Sequence, residues 1–226
     1  MRIDFITVLP NIITPVLQTG MMKRAVEKGL CEFSVYDLHD FSQLKTQHID
    51  DTPYGGGAGM VLSPDPLFRC IEHCQSLNTY DEIIFLTPDG EQLTQPLANT
   101  LSLSKKLLLI SGRYKGIDQR VRDTFVTKEI SIGDYVLTGG ELPSLVLADA
   151  LIRLIPGVIS DSESSLSDSF QDNLLDAPYY TKPSSYRDLE VPSVLLSGNH
   201  KLIEEWKYQQ SLEKTKKRRP DLFEKK

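Results

Sequence analysis

Cysteine is scarce in this chain. Cys31, Cys70 and Cys74 are the only three, an odd number that argues against a disulfide framework in a mid-sized protein. Cys70 and Cys74 stand at i, i+4 helical spacing with His73 between them, yet no second cluster completes a four-ligand metal set. Long apolar runs are missing too. No stretch of eighteen uncharged apolar residues occurs, and Asp4 interrupts the N-terminal MRIDFITVLP, so neither a membrane span nor a signal peptide is expected. The address read from this is cytoplasmic.

Positive charge is also in short supply, with a formal net charge of −6. That excludes a protein that coats nucleic acid indiscriminately, because such binding rests on Lys and Arg neutralising phosphates. The average conceals an asymmetry. From Lys201 to Lys226 nine Lys or Arg stand against five Asp or Glu, a local excess of four positive charges that leaves ten net negative charges on residues 1–200. The basic face is concentrated at the C-terminal end.

What is present is 40% apolar content in 226 residues, enough for a full core. The first half alternates β-branched apolar runs with helical stretches, which predicts an α/β domain on a largely parallel sheet. Strands are read over Ile3–Leu9, Phe33–Leu38, Ile83–Thr87, Leu107–Ser111 and Glu129–Ile132. Helices are read over Asn11–Gln18, Pro66–Leu77, Gln95–Leu101 and Asp118–Asp123. From Glu141 the run ELPSLVLADALIRLIP sets Leu142, Leu145, Val146, Asp149, Ile152 and Arg153 along helical spacing and stops at Pro156-Gly157. Next comes the Ser-rich segment SDSESSLSDS, with the composition of a linker. The organisation expected is a domain over 1–159, a flexible linker over 160–170 and a small helical domain over 171–226, in which Asn199 caps a helix running to about Lys214.

Four glycines in the five positions 55–59 of YGGGAGM permit close backbone approach to another molecule. The segment is neither a P-loop nor a dinucleotide fingerprint, since no Gly-Lys-Ser/Thr follows and it does not open a helix after a strand. Three loops match each other better: LTPDG at 86–90, SGRYKG at 111–116 and SIGDYVLTGGELP at 131–143. Each follows a predicted strand, and ligands of open α/β sheets bind beyond the carboxyl ends of the strands. One shared pocket is the expectation. Gly112, Gly116, Gly133, Gly139 and Gly140 would expose backbone to a flat ligand, and Ile132, Tyr135 and Leu137 would supply apolar walls suited to an adenosine. Arg153 by itself reads as a cation at a helix C-terminus, and Asp168 as an ordinary linker carboxylate.

These motifs resemble, in order and in register, the TrmD family of bacterial tRNA (guanine-N1)-methyltransferases, of the SPOUT class. The matched segments run from Asp4 to about Phe223 and include PYGGGAGM, GRYKGID, SIGDYVLTGGELP, IPGV, DSF, LLDAPYYTKP, VPSVLLSGNH and RRPDLF. The resemblance implies a SPOUT-type knotted α/β domain, a small helical C-terminal domain and a homodimer. Its implied donor is S-adenosylmethionine, held by Leu86, Pro88, Gly112, Tyr114, Gly116, Ile132, Gly133, Asp134, Tyr135, Val136, Leu137 and Gly140. The implied general base is Asp168 and the implied catalytic arginine Arg153. The implied RNA contacts are Asp50, Gly59, Lys216, Lys217, Arg218 and Arg219, and the implied partner is a tRNA with guanosine 3′ of the anticodon, with neither DNA nor a membrane as partner.

Two departures from the family pattern stand out. Lys115 occupies a place where members usually carry Glu, which reverses a charge beside the reaction and bears on a requirement for Mg²⁺; Asp176 matches another acidic position of that neighbourhood. The chain also stops soon after RRPDLF, where typical members are expected to continue for another helix or so. Two alternatives stay open at this point: a SPOUT RNA-binding protein without catalysis, and a methyltransferase of another RNA.

Overall fold

The computed structural model describes residues 1–159, 169–170 and 172–223. By its contacts the chain divides into two compact units, Met1–Ser160 and Asp161–Lys226.

The first unit is built on a five-stranded sheet of β1 (Arg2–Thr7), β2 (Glu32–Asp37), β5 (Glu82–Gln92), β6 (Lys106–Ser111) and β7 (Lys128–Ser131). Their order across the sheet is β2-β1-β6-β5-β7, with every pairing parallel. A parallel sheet is stable only when both faces are covered, and the continuous apolar runs of these strands reflect that. On one face Ile3, Phe5, Ile84, Leu107 and Leu109 pack with residues of α1 (Pro10–Leu17), α2 (Gly20–Glu27), α4 (Gln95–Leu101) and α6 (Glu141–Ile152). On the other, Ile6, Ile83, Phe85, Leu108 and Ile110 pack on α3 (Pro64–Leu77) and on Val121 of α5 (Gln119–Phe125). Cys70 and Cys74 belong to this second cluster. Their i, i+4 spacing, shared with Leu67 and Ile71, is the buried stripe of a helix.

Sequence periodicity locates these strands and most of the helices to within a few residues; α2, a short 3-10 turn at Leu38–Phe41, and the two-residue strands β3 (Asp50–Asp51) and β4 (Val61–Leu62) escape it. Two readings change in substance. LTPDG is not a loop that ends a strand: β5 continues to Gln92, and its register against β7 shifts between Leu86 and Glu91. The segment is a bulge, which turns side chains toward the strand ends without terminating the pairing. The stripe read on α6 also splits. Leu145 and Ile152 are buried while Leu142, Val146, Asp149 and Arg153 are exposed, because the helix buries Pro143, Ser144, Leu147, Ala148 and Leu151 on its other sides.

In the second unit the main element is α8 (His200–Arg218), capped by Asn199, whose side chain accepts the Leu202 N–H at 3.3 Å. A short helix α7 (Ser193–Leu196) precedes it, and a 3-10 turn at Pro220–Phe223 follows. Buried Thr215 joins α8 to the segment before it: its hydroxyl donates to the Ser211 carbonyl at 2.7 Å and accepts the Leu175 N–H at 2.8 Å. The unit is not wholly helical. β8 (Ser185–Tyr186) and β9 (Leu189–Glu190) form a hairpin turned by Arg187 and Asp188, both at positive φ. Asn-Gly or Asp-Gly is the usual sequence signal for such a turn, and Arg-Asp does not carry it.

Leu109 sits at the centre of the sheet with no exposed surface, whereas Leu103 is 83% exposed. Leu109→Ala is expected to cost about 2–5 kcal/mol and lower Tm by several degrees, with Leu103→Ala within about 0.5 kcal/mol of wild type; thermal unfolding of the two variants checks the placement of the core.

Candidate functional site

The bulge of β5 and the carboxyl ends of β6 and β7 enclose a cavity of about 280 Å³. Phe85, Leu86, Thr87 and Pro88 reach it from β5 and its bulge, Gly112 to Gly116 from the loop after β6, and Ile130 to Gly133 from β7 and its exit. The chain then returns over the cavity through Tyr135 to Gly140 and enters α6, whose Pro143 closes the wall.

What holds these segments together is backbone. The N–H of Gly140 donates to the Gly112 carbonyl at 2.7 Å. A Cβ on Gly140 would lie 2.8 Å from the Gly112 nitrogen and the Ser111 Cα, so only glycine allows the start of α6 to rest on the loop after β6. One layer further in, the buried Ser111 and Ser144 hydroxyls are 2.9 Å apart and hydrogen-bonded. The exit from β7 is folded back locally, with the Ser131 hydroxyl donating to the Gly133 carbonyl at 3.0 Å and the Gly133 carbonyl also accepting the Tyr135 N–H at 2.9 Å.

The rim is apolar and open to solvent: Tyr114, Tyr135, Val136 and Leu137 are 57, 54, 83 and 40% exposed. Apolar surface of that extent around a concavity gains free energy when a ligand covers it. Tyr114 adopts φ +58°, a left-handed conformation that a non-glycine residue holds only when its surroundings enforce it. Burial, followed by the charge of Asp50 on β3, pushes the Tyr114 pKa up. The YGGGAGM segment meets the same loop from outside: the Met60 carbonyl accepts the Lys115 N–H at 3.0 Å, and the Lys115 side chain lies over Gly59.

Of the residues assigned to the donor, Leu86, Pro88, Gly112, Tyr114, Gly116 and Ile132 line this one cavity, as do Gly133, Tyr135, Val136, Leu137 and Gly140. Asp134 belongs to the same loop but is not part of the lining. Phe85, Thr87, Arg113, Ser131, Thr138 and Pro143 line it as well and were not singled out by sequence. All but Phe85 lie inside the three motifs, and Phe85 adjoins the first. Arg153 is the exposed C-cap of α6, and Asp168 lies outside the described residues.

In the second unit Lys216, Lys217 and Arg218 are exposed on the last turn of α8, where cations also complement the helix dipole. Arg219 is paired with Asp221 at 2.7 and 2.8 Å. The Asp176 backbone carbonyl accepts from Lys214 Nζ at 2.7 Å, and its N–H donates to the Ser169 hydroxyl oxygen at 3.0 Å.

Residues 1–225 match the model of the family described as tRNA (Guanine-1)-methyltransferase TrmD. The chain belongs to this family. TrmD members are S-adenosylmethionine-dependent methyltransferases of the SPOUT class, and a parallel α/β domain followed by a C-terminal helix is the architecture found here. Among similar proteins, the tRNA (guanine-N(1)-)-methyltransferase of Bacteroides thetaiotaomicron is 57% identical over 224 residues, 99% of this chain and 100% of that protein. That of Flavobacterium psychrophilum is 54% identical with the same coverage. That of Chlorobaculum tepidum is 50% identical over 223 residues, 99% of this chain and 97% of that protein. These TrmD relatives are of nearly the same length as this chain, so the early stop after RRPDLF is no departure from them.

Gly140→Ala is expected to separate the start of α6 from Gly112 and to weaken binding of S-adenosylmethionine by about tenfold or more, equivalent to about 1.4 kcal/mol. Calorimetric titration of the variant against wild type measures this.

Proposed function

We propose that the protein methylates N1 of the guanosine immediately 3′ of the anticodon in tRNA. The observation that carries this reading is the convergence of the β5 bulge and the loops after β6 and β7 on one cavity in a chain of the TrmD family. The backbone of Gly112, Gly116 and Gly133 that lines the cavity beside the Ile132 and Leu137 side chains suits the adenosine of S-adenosylmethionine. Bound there, S-adenosylmethionine supplies a methyl group on a sulfonium sulfur.

Guanine N1 carries a proton at neutral pH, so its lone pair has to be freed before it attacks. Asp168 is the general base that accepts this proton, and Arg153 stabilises the negative charge that develops on the purine, chiefly at O6. A nucleotide of the anticodon loop can be unstacked and read on its edges, with Asp50 and Gly59 at the side of the cavity and the Lys216, Lys217, Arg218 and Arg219 cluster on the stem phosphates. This assigns the enzyme to the cytoplasm, where tRNA is its substrate and DNA is not; among the described residues no helix is long and apolar enough to cross a membrane.

The working unit is a homodimer. Exposed Ile12 and Val16 on α1 and Leu142 and Val146 on α6 belong to two helices that touch each other, and together they offer an apolar surface for a second copy. Mg²⁺ is given no ligand set: among the described residues no group of three or more His, Cys, Asp or Glu side chains stands together. Lys115, lining the cavity, brings a positive charge to where a metal ion would otherwise add one.

Transfer of labelled methyl from S-adenosylmethionine is expected for a tRNA transcript with guanosine 3′ of the anticodon and not for one with adenosine there, with and without Mg²⁺. The product should stop reverse transcriptase at that base. Asp168→Ala is expected to abolish transfer while leaving donor binding intact, and Arg153→Ala to raise the barrier by about 2–4 kcal/mol. Wild-type rates from Asp168→Ala would remove the assigned base. Donor binding without transfer to either transcript would favour an RNA-binding protein.

A further inference from the structure

Glu141, the first residue of α6, is a buried carboxylate that the chemistry above does not use. It is 2% exposed and is not part of the cavity lining. Its Oε1 accepts the Thr7 hydroxyl at 3.0 Å, and its Oε2 lies 3.7 Å from Nη1 of Arg113. Thr7 is the last residue of β1, and its Oγ1 also accepts the Leu9 N–H at 2.9 Å. The carboxylate is thus fixed from the sheet side, and Arg113 meets it from the pocket side. Arg113 lines the cavity and forms an antiparallel backbone bridge with Gly139.

Gly139 shows how closely this pair is fitted. A Cβ there would fall on Glu141 Oε2 and come within 3.2 Å of Arg113 Nη1, although the Gly139 backbone is not in the left-handed region. The glycine serves the ion pair, not a turn. A buried charge is costly unless it is paired, and an apolar side chain of similar size would fill the same space. Placing a charge here has its consequence in the loop on which Arg113 stands. That loop sends Gly112, Tyr114, Lys115 and Gly116 to the cavity and holds Tyr114 in a strained conformation.

We propose that Glu141 is a positioning residue for the donor pocket: through Arg113 it holds the 112–116 loop in the conformation that binds S-adenosylmethionine. The inference rests on the reading of this cavity as the donor site. Glu141→Gln keeps the shape and the acceptor for Thr7 while removing the charge, and Arg113→Met removes the other member.

The test is titration of S-adenosylmethionine into the full-length protein, with steady-state methyl transfer alongside, for wild type, each single variant and the double. Each single variant is expected to weaken donor binding about tenfold, with KM for the donor rising in step and kcat falling less than about threefold. The double should bind no more weakly than the poorer single, as coupled partners require. Wild-type affinity in Glu141→Gln, or losses that add in the double, overturns the proposal. If Glu141→Gln does not fold, Glu141→Asp, which withdraws the carboxylate from Arg113, is expected to show the same loss, and wild-type affinity in it overturns the proposal equally. Wild-type protein that binds no S-adenosylmethionine overturns the donor-site reading itself and this inference with it.

Discussion

The site depends on one backbone contact, the hydrogen bond from Gly140 to Gly112 at a separation that leaves no room for a side chain. It sets the first turn of α6 on the loop after β6 and so draws the whole 132–140 segment over the strand ends. The bulge in β5 then supplies the third wall from the opposite side. Close packing leaves such an arrangement little latitude, since a single added methyl group has to displace main chain. The buried Ser111–Ser144 pair and the Thr7–Glu141–Arg113 chain stand around the same junction and fix it by polar contacts, where an apolar core would fix it only by shape.

Charge is distributed unevenly between the two units. The first carries most of the net negative charge of the chain, and its cavity sets exposed Tyr114, Tyr135, Val136 and Leu137 around a floor of glycine backbone. A neutral purine is well served by such a surface, and phosphates are not. Lys216, Lys217 and Arg218 add a compact run of exposed cations on the last turn of α8. An acidic protein can in this way engage one RNA at a defined place without general affinity for nucleic acid.

Much of this was legible in the sequence because it depends on local rules. The central strands are apolar runs that parallel pairing buries on both faces, and α3 shows its core stripe at Leu67, Cys70, Ile71 and Cys74. The bulge at Thr87–Gly90 was not legible, since whether a strand ends or merely shifts register is decided by its partner β7. The exposure of Leu142 and Val146 was likewise hidden, because spacing shows that residues share a face and not what that face meets. Arg113 and Glu141 are ordinary charged residues until the fold sets them against Thr7 from a strand more than a hundred residues away. No spacing rule singles out Asp168 or Arg153, and the roles proposed for them rest on resemblance alone.

The central claim is that three segments distant in sequence form one binding site for S-adenosylmethionine. Amide hydrogen exchange with and without this ligand tests it most directly. The account predicts that protection rises together in residues 86–90, 111–116 and 131–140. Protection confined to one of these loops, or found only in residues 172–223, would contradict it.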